Sequence, residues 1–161
     1  MNEKKLLRLL EQNAYASKES IAAELGATVA EVDSAVSRLE KEKVILGYTA
    51  MIDWDKTKNQ TITAMIEIKI IPTPGEGFDK VARRISKYPQ VKSVYLMSAT
   101  YDILVSIEGK TLQEIAMFVA QKLAPMAGVQ STATHFVLKK YKDKGINYDI
   151  PEGDMRGLFN L

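Results

Sequence analysis

A pair of short helical patterns within residues 17–41 most constrains how this chain can fold. The first pattern is Lys18–Leu25, the second is Val29–Lys41, and they meet at Gly26. Glycine tolerates the positive φ that ends a helix and turns the chain. The apolar residues at helical spacing in the second pattern are Val29, Val32, Val36 and Leu39. They predict one inward face for this helix.

The residues just before the second pattern favour a helix start at that point. Thr28 and Glu31 fit the capping box, in which the threonine hydroxyl accepts a free backbone N–H and the glutamate reaches back. Two short helices joined by a glycine turn are typical of a helix-turn-helix, whose second helix can enter a DNA major groove. The same pattern also fits an ordinary helical hairpin in an unrelated core, because short helix pairs are common.

Composition narrows the class of protein. The chain of 161 residues suits one or two small domains, and its net charge is only +2. Residues 1–60 hold nine Lys and Arg against ten Asp and Glu, so any DNA contact must come from local placement of cations. The absence of cysteine excludes disulfides, thiol catalysis and Cys-ligated zinc. With no signal peptide and no apolar run of about 20 residues, we expect a cytoplasmic protein that does not enter a membrane.

The first 52 residues predict a winged helix-turn-helix DNA-binding domain. Glu3–Gln12 forms a first helix with its leucines facing inward, and the two helices described above follow. A short β-like stretch at 44–52, interrupted by Gly47, supplies the wing. The polar segment 53–61 is the predicted linker.

From residue 61 the apolar period changes from helical to two, which indicates strands. The predicted elements are a strand at 61–70, a loop at 72–77, a helix over 78–85, strands at 91–98 and 103–108, a helix from 112 to about 123, and a strand at 130–138. The order is βαββαβ, a ferredoxin-like α+β domain at 62–140 with two helices on one face of a four-stranded antiparallel sheet.

The second face of that sheet is expected to be an apolar patch, because Tyr95, Met97 and Leu104 point away from the helix side. A large exposed apolar patch marks a partner surface, and a second copy of the chain is the simplest partner. We therefore predict a homodimer through the sheet. The extension at 141–161 is expected to be irregular, with an apolar end, Leu158, Phe159 and Leu161, available to dock on a neighbouring subunit.

With both domains in place, the chain resembles the Lrp/AsnC, or feast/famine, transcriptional regulators over about residues 1–142. Residues 6–10 and 21–26 are similar to the family's first two helices, and residues 36–40 and 44–50 to the end of its recognition helix and its wing. Residues 101–104 resemble the signature turn of its C-terminal domain. Residues 128–129, 132–134 and 137–139 resemble its closing strand.

The resemblance implies double-stranded DNA bound through paired winged helices, a homodimer that often assembles to an octamer, and a C-terminal domain that senses a small effector, usually an amino acid. The chain departs from the family at two places. Its signature turn carries Ala99 and Thr100 where the family commonly has glycine, so the effector is expected to differ or its effect to be lost. Its recognition helix begins with Ala30, Glu31 and Asp33 rather than polar and basic residues.

Most of the candidate DNA-binding residues lie on the second helix opposite its apolar stripe, while Thr28 caps that helix and Tyr48 is in the predicted wing. The candidates are Thr28, Ala30, Ser34, Ser37, Arg38, Lys41 and Tyr48. Arg38 can read guanine or hold a phosphate, and the two serines permit close approach. The alternative is a solvated helix face, and Tyr48 is equally suited to packing.

The candidate effector-binding residues are Ala99, Thr100, Tyr101, Asp102, Thr132 and Thr134. Asp102 is suited to accept a hydrogen bond from an effector's ammonium group, and the two strand threonines can offer hydroxyls from a neighbouring subunit. The alternative is a turn-forming aspartate with ordinary strand threonines, which β structure favours anyway.

No motif for catalysis, nucleotide binding or a metal site occurs, and His135 is the single histidine. We therefore expect no enzyme activity, no cofactor other than an amino-acid effector, and no metal. Two alternatives to the regulator remain: an oligomeric small-molecule-binding protein whose helix-turn-helix does not bind DNA, and an enzyme built on the ferredoxin-like domain.

Overall fold

A computed structural model describes residues 1–71 and 77–148 of the chain. The chain divides into two compact units, Met1–Ile52 and Asp53–Leu161. The N-terminal unit holds three helices: α1 (Glu3–Gln12), α2 (Lys18–Leu25) and α3 (Val29–Lys41). The second unit begins with a 3₁₀ turn, Trp54–Lys56, and then contains the sheet and its helices.

Side-chain caps set where each helix of the N-terminal unit begins. The Asn2 side chain accepts the Lys5 N–H at 3.1 Å, and the Ser17 hydroxyl accepts the Ser20 N–H at 3.1 Å. The predicted capping box of α3 is present, and Gly26 ends α2 with φ +61°. These caps satisfy N–H groups that have no partner inside a helix, so the start of each helix is encoded locally.

The inward face of α3 differs from the predicted one at two positions. Val32 and Leu39 are buried, but Val29 is 40% exposed and Ala35, at 8% exposure, takes its place. Val29 is the first residue of the helix, one turn before the buried series starts. The buried core of the unit consists of Leu6, Ile21, Ala22, Val32, Ala35 and Leu39.

The predicted β element of the wing does not form: residues 44–52 contain no strand. The backbone N–H groups of Val44 and Ile45 both donate to the Leu39 carbonyl, at 2.9 and 3.2 Å, which ties the start of the segment to α3. A strand requires a hydrogen-bonded neighbouring strand, and residues 44–52 have none among residues 1–71 and 77–148.

The second unit has the predicted βαββαβ order, which confirms the fold class. Its elements are β1 (Ile62–Ile70), α4 (Phe78–Ile85), β2 (Val91–Leu96), β3 (Ile103–Gly109), α5 (Leu112–Phe118) and β4 (Val129–Phe136). A π-helical turn, Val119–Leu123, continues α5. The sheet order is β2-β3-β1-β4 with antiparallel neighbours throughout. The predicted loop at 72–77 falls largely on residues 72–76, which lie outside the described residues.

The core of this unit lies between the sheet and its helices, because the alternating isoleucines of β1 and β3 face that side. In the register, Ile66 is opposite Val105 and Ile68 is opposite Ile103. The buried cluster consists of Ala64, Ile66, Ile68, Ile70, Val81, Ile85, Ile103, Val105, Ile107, Ile115, Phe118, Val119 and Leu123.

The other face of the sheet, here called the open face, is mixed rather than the apolar patch that was predicted. One row across the strands is Tyr95, Leu104, Glu67 and Ala133, and the next is Ser93, Ser106, Met65 and His135. A polar contact links the two rows, since His135 Nε2 lies 3.5 Å from Glu67 Oε1. The apolar residues on this face are therefore interspersed with polar ones, which were not predicted there from the sequence.

The described part of the extension, residues 141–148, contains a hairpin that the sequence did not predict. Strands β5 (Lys142–Asp143) and β6 (Ile146–Asn147) pair through a turn at Lys144 and Gly145, both with positive φ. Burial, followed by the charges of Asp143, Asp53 and Glu108, raises the pKa of Tyr148 just after this hairpin. The apolar residues Leu158, Phe159 and Leu161, predicted to dock on a neighbour, lie outside the described residues.

Candidate nucleic-acid interface and effector turn

The outward face of α3 is the candidate nucleic-acid interface. Ala30, Ser34, Ser37 and Lys41 are all exposed and lie opposite the buried stripe, because successive helical residues turn by about 100°. Three of the four side chains are small, which lets a helix backbone approach base edges and phosphates closely. Lys41 makes no ion pair within the described part of the chain. The face is therefore shallow, with its cation at the C-terminal end.

Arg38 lies at the edge of this face, on the side of α1. Its guanidinium forms an ion pair with the Glu3 carboxylate of α1 and another with Glu42, where Nη1 and Oε2 are 3.1 Å apart. The two carboxylates, Glu3 above all, raise the pKa of Arg38 above its ordinary value. The predicted DNA contact through Arg38 thus has two intramolecular competitors.

Asp33 lies at the opposite edge of the face, on the side of α2. Its carboxylate forms an ion pair with Lys18, and the hydrogen bond raises the pKa of that lysine. Because the lysine offsets its charge, Asp33 does not present an isolated negative charge beside the candidate interface. The acidic start of α3 is therefore compatible with a nearby phosphate backbone.

The hydroxyls of the other two candidates are already engaged. The Tyr48 hydroxyl donates to Glu40 Oε1 at 2.9 Å, which fastens the 44–52 segment to α3. Burial, followed by this carboxylate, raises the pKa of Tyr48. The Thr28 hydroxyl accepts the Glu31 N–H at 3.2 Å, and the Thr28 N–H donates to the Glu31 carboxylate at 2.8 Å, which lowers the pKa of Glu31.

The candidate effector turn connects β2 to β3, with Asp102 as its anchor. Asp102 Oδ2 accepts the Ile70 N–H at 2.8 Å, and its own N–H donates to the Ile68 carbonyl at 3.0 Å. Its carbonyl accepts the Met97 N–H at 2.8 Å and closes the turn. Ala99 and Thr100 are exposed at the tip, and Tyr101 is half-buried. Asp102 therefore has a structural role in its own chain, whatever else it binds.

The two strand threonines lie across β1 from this turn. Thr132 is opposite Ile68 and Thr134 is opposite Ile66, so both share the helix-covered side of the sheet with those core residues. Ile68 is in turn opposite Ile103, the residue after Asp102. Thr132 and the turn are thus at the same end of the sheet, about two strand spacings, or ~10 Å, apart. Within one chain, Thr132 and the turn therefore lie in the same region of the sheet but too far apart to contact the same small group directly.

Two further findings bear on other classes of site. Among residues 1–71 and 77–148, no three His, Asp or Glu side chains are grouped so as to hold a metal ion. In the same part of the chain, no helix has both the length and the apolar character needed to cross a membrane.

The partners of the candidate residues were not predicted from the sequence. The spacing from Arg38 to Glu42 is i, i+4 and was readable as a helical pair. The contacts of Glu3 with Arg38 and of Lys18 with Asp33 join different helices, and no local spacing signals them. Only the packing of α1 and α2 against α3 brings these side chains together.

Comparison with known proteins places the chain in a family. Residues 63–146 match the family model of the Lrp/AsnC ligand-binding domain. YugG, an uncharacterized HTH-type transcriptional regulator of Bacillus subtilis, is 46% identical over 155 residues, which cover 96% of this chain and 93% of that protein.

Solved structures show the same fold at lower identity. A transcriptional regulator of Neisseria meningitidis in complex with L-methionine superposes with a TM-score of 0.69 at 21% identity, covering 91% of this chain and 92% of the other. A feast or famine regulatory protein of M. tuberculosis complexed with L-methionine gives 0.71 at 22% identity, covering 87% and 92%. The helix-turn-helix unit, the ferredoxin-like domain and these matches together show that the chain belongs to the Lrp/AsnC family of HTH-type transcriptional regulators.

Proposed function

We propose that this chain regulates transcription by sequence-specific binding of double-stranded DNA, with α3 in the major groove. The observation that carries the proposal is the outward face of α3, which consists of small exposed side chains followed by Lys41 at its C-terminal end. Ser34 and Ser37 are placed to approach base edges, and Lys41 to hold a phosphate. A regulator acts in the compartment that holds the chromosome, so we place the chain in the cytoplasm.

A single N-terminal unit offers few cations to DNA, which favours paired units. Residues 1–52 carry seven Lys and Arg against eight Asp and Glu, and the ion pairs described above engage several of those cations. Two half-sites bound at once raise the affinity without new contacts per unit.

We propose that the paired form is a homodimer, with the octamer as a higher assembly. The open face supports this, because Tyr95, Leu104 and Met65 lie on it without helices to cover them. The 44–52 segment supports it as well, since it forms no strand and Leu46 is 86% exposed. Light scattering at micromolar concentration tests the proposal, and a clean monomer would contradict it.

We also propose that the C-terminal domain binds an amino acid through the 99–102 turn and, from a neighbouring subunit, Thr132 and Thr134. The support is the match to the ligand-binding domain model and the placement of Asp102 at a sheet end close to exposed backbone of the turn. Two proteins of the same fold are complexed with L-methionine, which makes methionine the first candidate.

DNA binding is tested by fluorescence anisotropy with the full chain and a fragment from upstream of its own gene. We expect saturable binding that weakens as salt rises, because phosphate contacts release counterions. A shuffled fragment of equal length serves as the control. Equal affinity for both fragments, or no binding at low salt, would contradict sequence-specific regulation. Absence of binding would favour the alternative, a small-molecule-binding protein whose helix-turn-helix does not bind DNA.

Effector binding is tested by thermal shift with the twenty amino acids at millimolar concentration. A ligand that binds the folded state raises its apparent stability by RT ln(1 + [L]/Kd). Asp102→Asn is the decisive variant, because an asparagine oxygen can still accept the Ile70 N–H while the negative charge is lost. We expect it to fold normally and to lose the shift. A shift that persists in Asp102→Asn would exclude the proposed ammonium contact.

A further inference from the structure

The carboxylates around Arg38 are the least expected feature of the candidate interface. A DNA-binding helix benefits from a free guanidinium, yet Glu3 from α1 and Glu42 from the end of α3 both contact this one. The two acids come from different helices and reach the same side chain. Arg38 therefore has two anionic partners before DNA binds.

The contact with Glu42 is poorly placed to stabilise α3, the helix that carries both residues. Glu42 is the C-cap residue of α3, where the partial negative charge of the helix end disfavours a carboxylate. The pair with Arg38 runs from cation to acid along the chain, which is the weaker order for an i, i+4 pair. Helix stability thus gives no reason for an acid at position 42.

Both contacts are also open to exchange. The side chains of Arg38, Glu3 and Glu42 are 44, 49 and 51% exposed, so water and external anions reach all three. Exposed ion pairs contribute little to folding and are weakened by salt. A DNA phosphate or guanine edge offers the guanidinium the same forked geometry that a carboxylate does.

We propose that Glu3 and Glu42 are specificity-determining residues that occupy the Arg38 guanidinium in the free protein and compete with DNA for it. The inference rests on the proposed DNA binding through α3. Arg38 lies at the edge of the outward face, and its flexible side chain can turn from α1 toward a bound duplex. DNA must displace two carboxylates to contact the guanidinium, so these acids lower the affinity for every DNA site. Only sites that make enough other contacts with the protein are then bound tightly.

The experiment compares full-length wild type with Glu3→Gln, Glu42→Gln and Arg38→Ala, using anisotropy on the upstream fragment. Glu11→Gln is the matched control, because Glu11 is on α1 as well and makes no ion pair within residues 1–71 and 77–148. Each glutamine variant changes the net charge equally, so the control measures the general effect of removing one negative charge from the unit.

We expect Glu3→Gln and Glu42→Gln each to raise the affinity about twofold to fivefold, in line with the strength of exposed ion pairs, and Glu11→Gln to raise it less. In the Arg38→Ala background, Glu3→Gln should act no differently from Glu11→Gln, because the contested guanidinium is gone. Agreement between positions 3 and 42, on different helices, excludes an effect of charge at the start of α1.

Two failures are distinguishable. If wild type binds the fragment but the Glu3 and Glu42 variants behave like the control, or keep their gain with Arg38→Ala, the competition is refuted and DNA binding stands. If neither wild type nor any variant binds DNA, the proposed function itself fails. Unchanged thermal unfolding midpoints verify that each variant is folded.

Discussion

The two units of this protein are stabilised in different ways. In the N-terminal unit, three capped helices enclose six buried residues, and its surface carries cross-helix ion pairs. In the C-terminal domain, thirteen buried residues lie between a four-stranded sheet and its helices. The smaller unit depends on local signals and a few core side chains, while the larger depends on long-range strand register. Loss of one buried side chain should therefore matter more to the first unit than to the second.

The largest expected effect is that of Leu6→Ala, which truncates a fully buried side chain in the smaller core. Such truncations cost about 2–5 kcal/mol, a large fraction of the stability of a unit this size. We expect the N-terminal unit to unfold and DNA binding to be lost while the sheet domain stays folded. Thermal unfolding followed by circular dichroism should show two separate transitions. One transition that shifts as a whole would show that the units do not unfold independently.

A smaller effect, confined to the C-terminal domain, is expected for Gly109→Ala. A Cβ added at Gly109 would lie 2.9 Å from Ile115 Cγ1, inside a packed core. Overpacking of this kind costs about 1–3 kcal/mol. Urea unfolding measures the loss, and Gly47→Ala is the control, because nothing lies within 4 Å of its added Cβ. Equal stability of the Gly109 variant and wild type would mean that the helix–sheet packing yields more easily than the geometry indicates.

Thr28→Ala tests the local encoding of the N-terminal unit. Loss of the hydroxyl that accepts the Glu31 N–H should cost about 1 kcal/mol, as for other N-cap replacements. Thr111→Ala makes the matching change at the start of α5, where the hydroxyl accepts the Glu114 N–H at 3.0 Å. We expect the Thr28 change to lower the melting point of its unit more, since the smaller unit has less stability to lose. The reverse order would contradict the comparison between the units.

The capping box of α3 also makes a pH-dependent contribution to the folding stability of the N-terminal unit. The Thr28 N–H lowers the pKa of Glu31 below its ordinary 4.5 in the folded state. Its contribution is therefore present above pH 4.5 and is lost as pH falls through the lowered folded value. Glu31→Gln should remove this part of the acid sensitivity, which unfolding at pH 7 and at pH values below 4.5 can measure. An unchanged pH profile would show that water satisfies the same N–H group equally well.

The smallest effect is on DNA affinity alone. Lys41→Ala should leave both units folded, weaken binding on all DNA sequences, and reduce the salt slope of log K by about one, as loss of a phosphate contact does. Lys122→Ala, on the helix side of the other domain, is the control. A Lys41 variant with the wild-type slope would place the phosphate contact elsewhere on the unit.

The helices of the first unit were predictable because their signals are short-range. Thr28, Glu31 and Gly26 lie within six residues of one another, and they set where α2 ends and α3 begins. The sequence did not predict that Ala35 rather than Val29 is buried, because helical spacing defines a face only to within about one residue. The strands themselves were predictable from their alternating apolar residues, because a period of two is visible without knowledge of the neighbouring strands.

The candidate site was less predictable, because its residues depend on partners far away in sequence. The sequence gives no sign that Glu3 of α1 contacts the Arg38 guanidinium. It likewise gives no sign that the Asp102 carboxylate accepts the Ile70 N–H of β1. The 44–52 stretch has strand-like residues but no pairing strand in the part of the chain that the structure describes. In each case the sequence shows what a residue can do, and packing decides what it does.

The sequence by itself therefore determined the two-domain plan, the helix boundaries and the family, because caps, turns and periodicity act over a few residues. The tertiary structure alone decided which face of the sheet is mixed, where the hairpin after β4 lies, and which charges meet on the recognition helix. Contacts between elements distant in the chain depend on the three-dimensional approach of whole helices and strands, which no local pattern records. The helix pair around Gly26 was readable from the start, but the carboxylates that hold Arg38 became visible only in the folded unit.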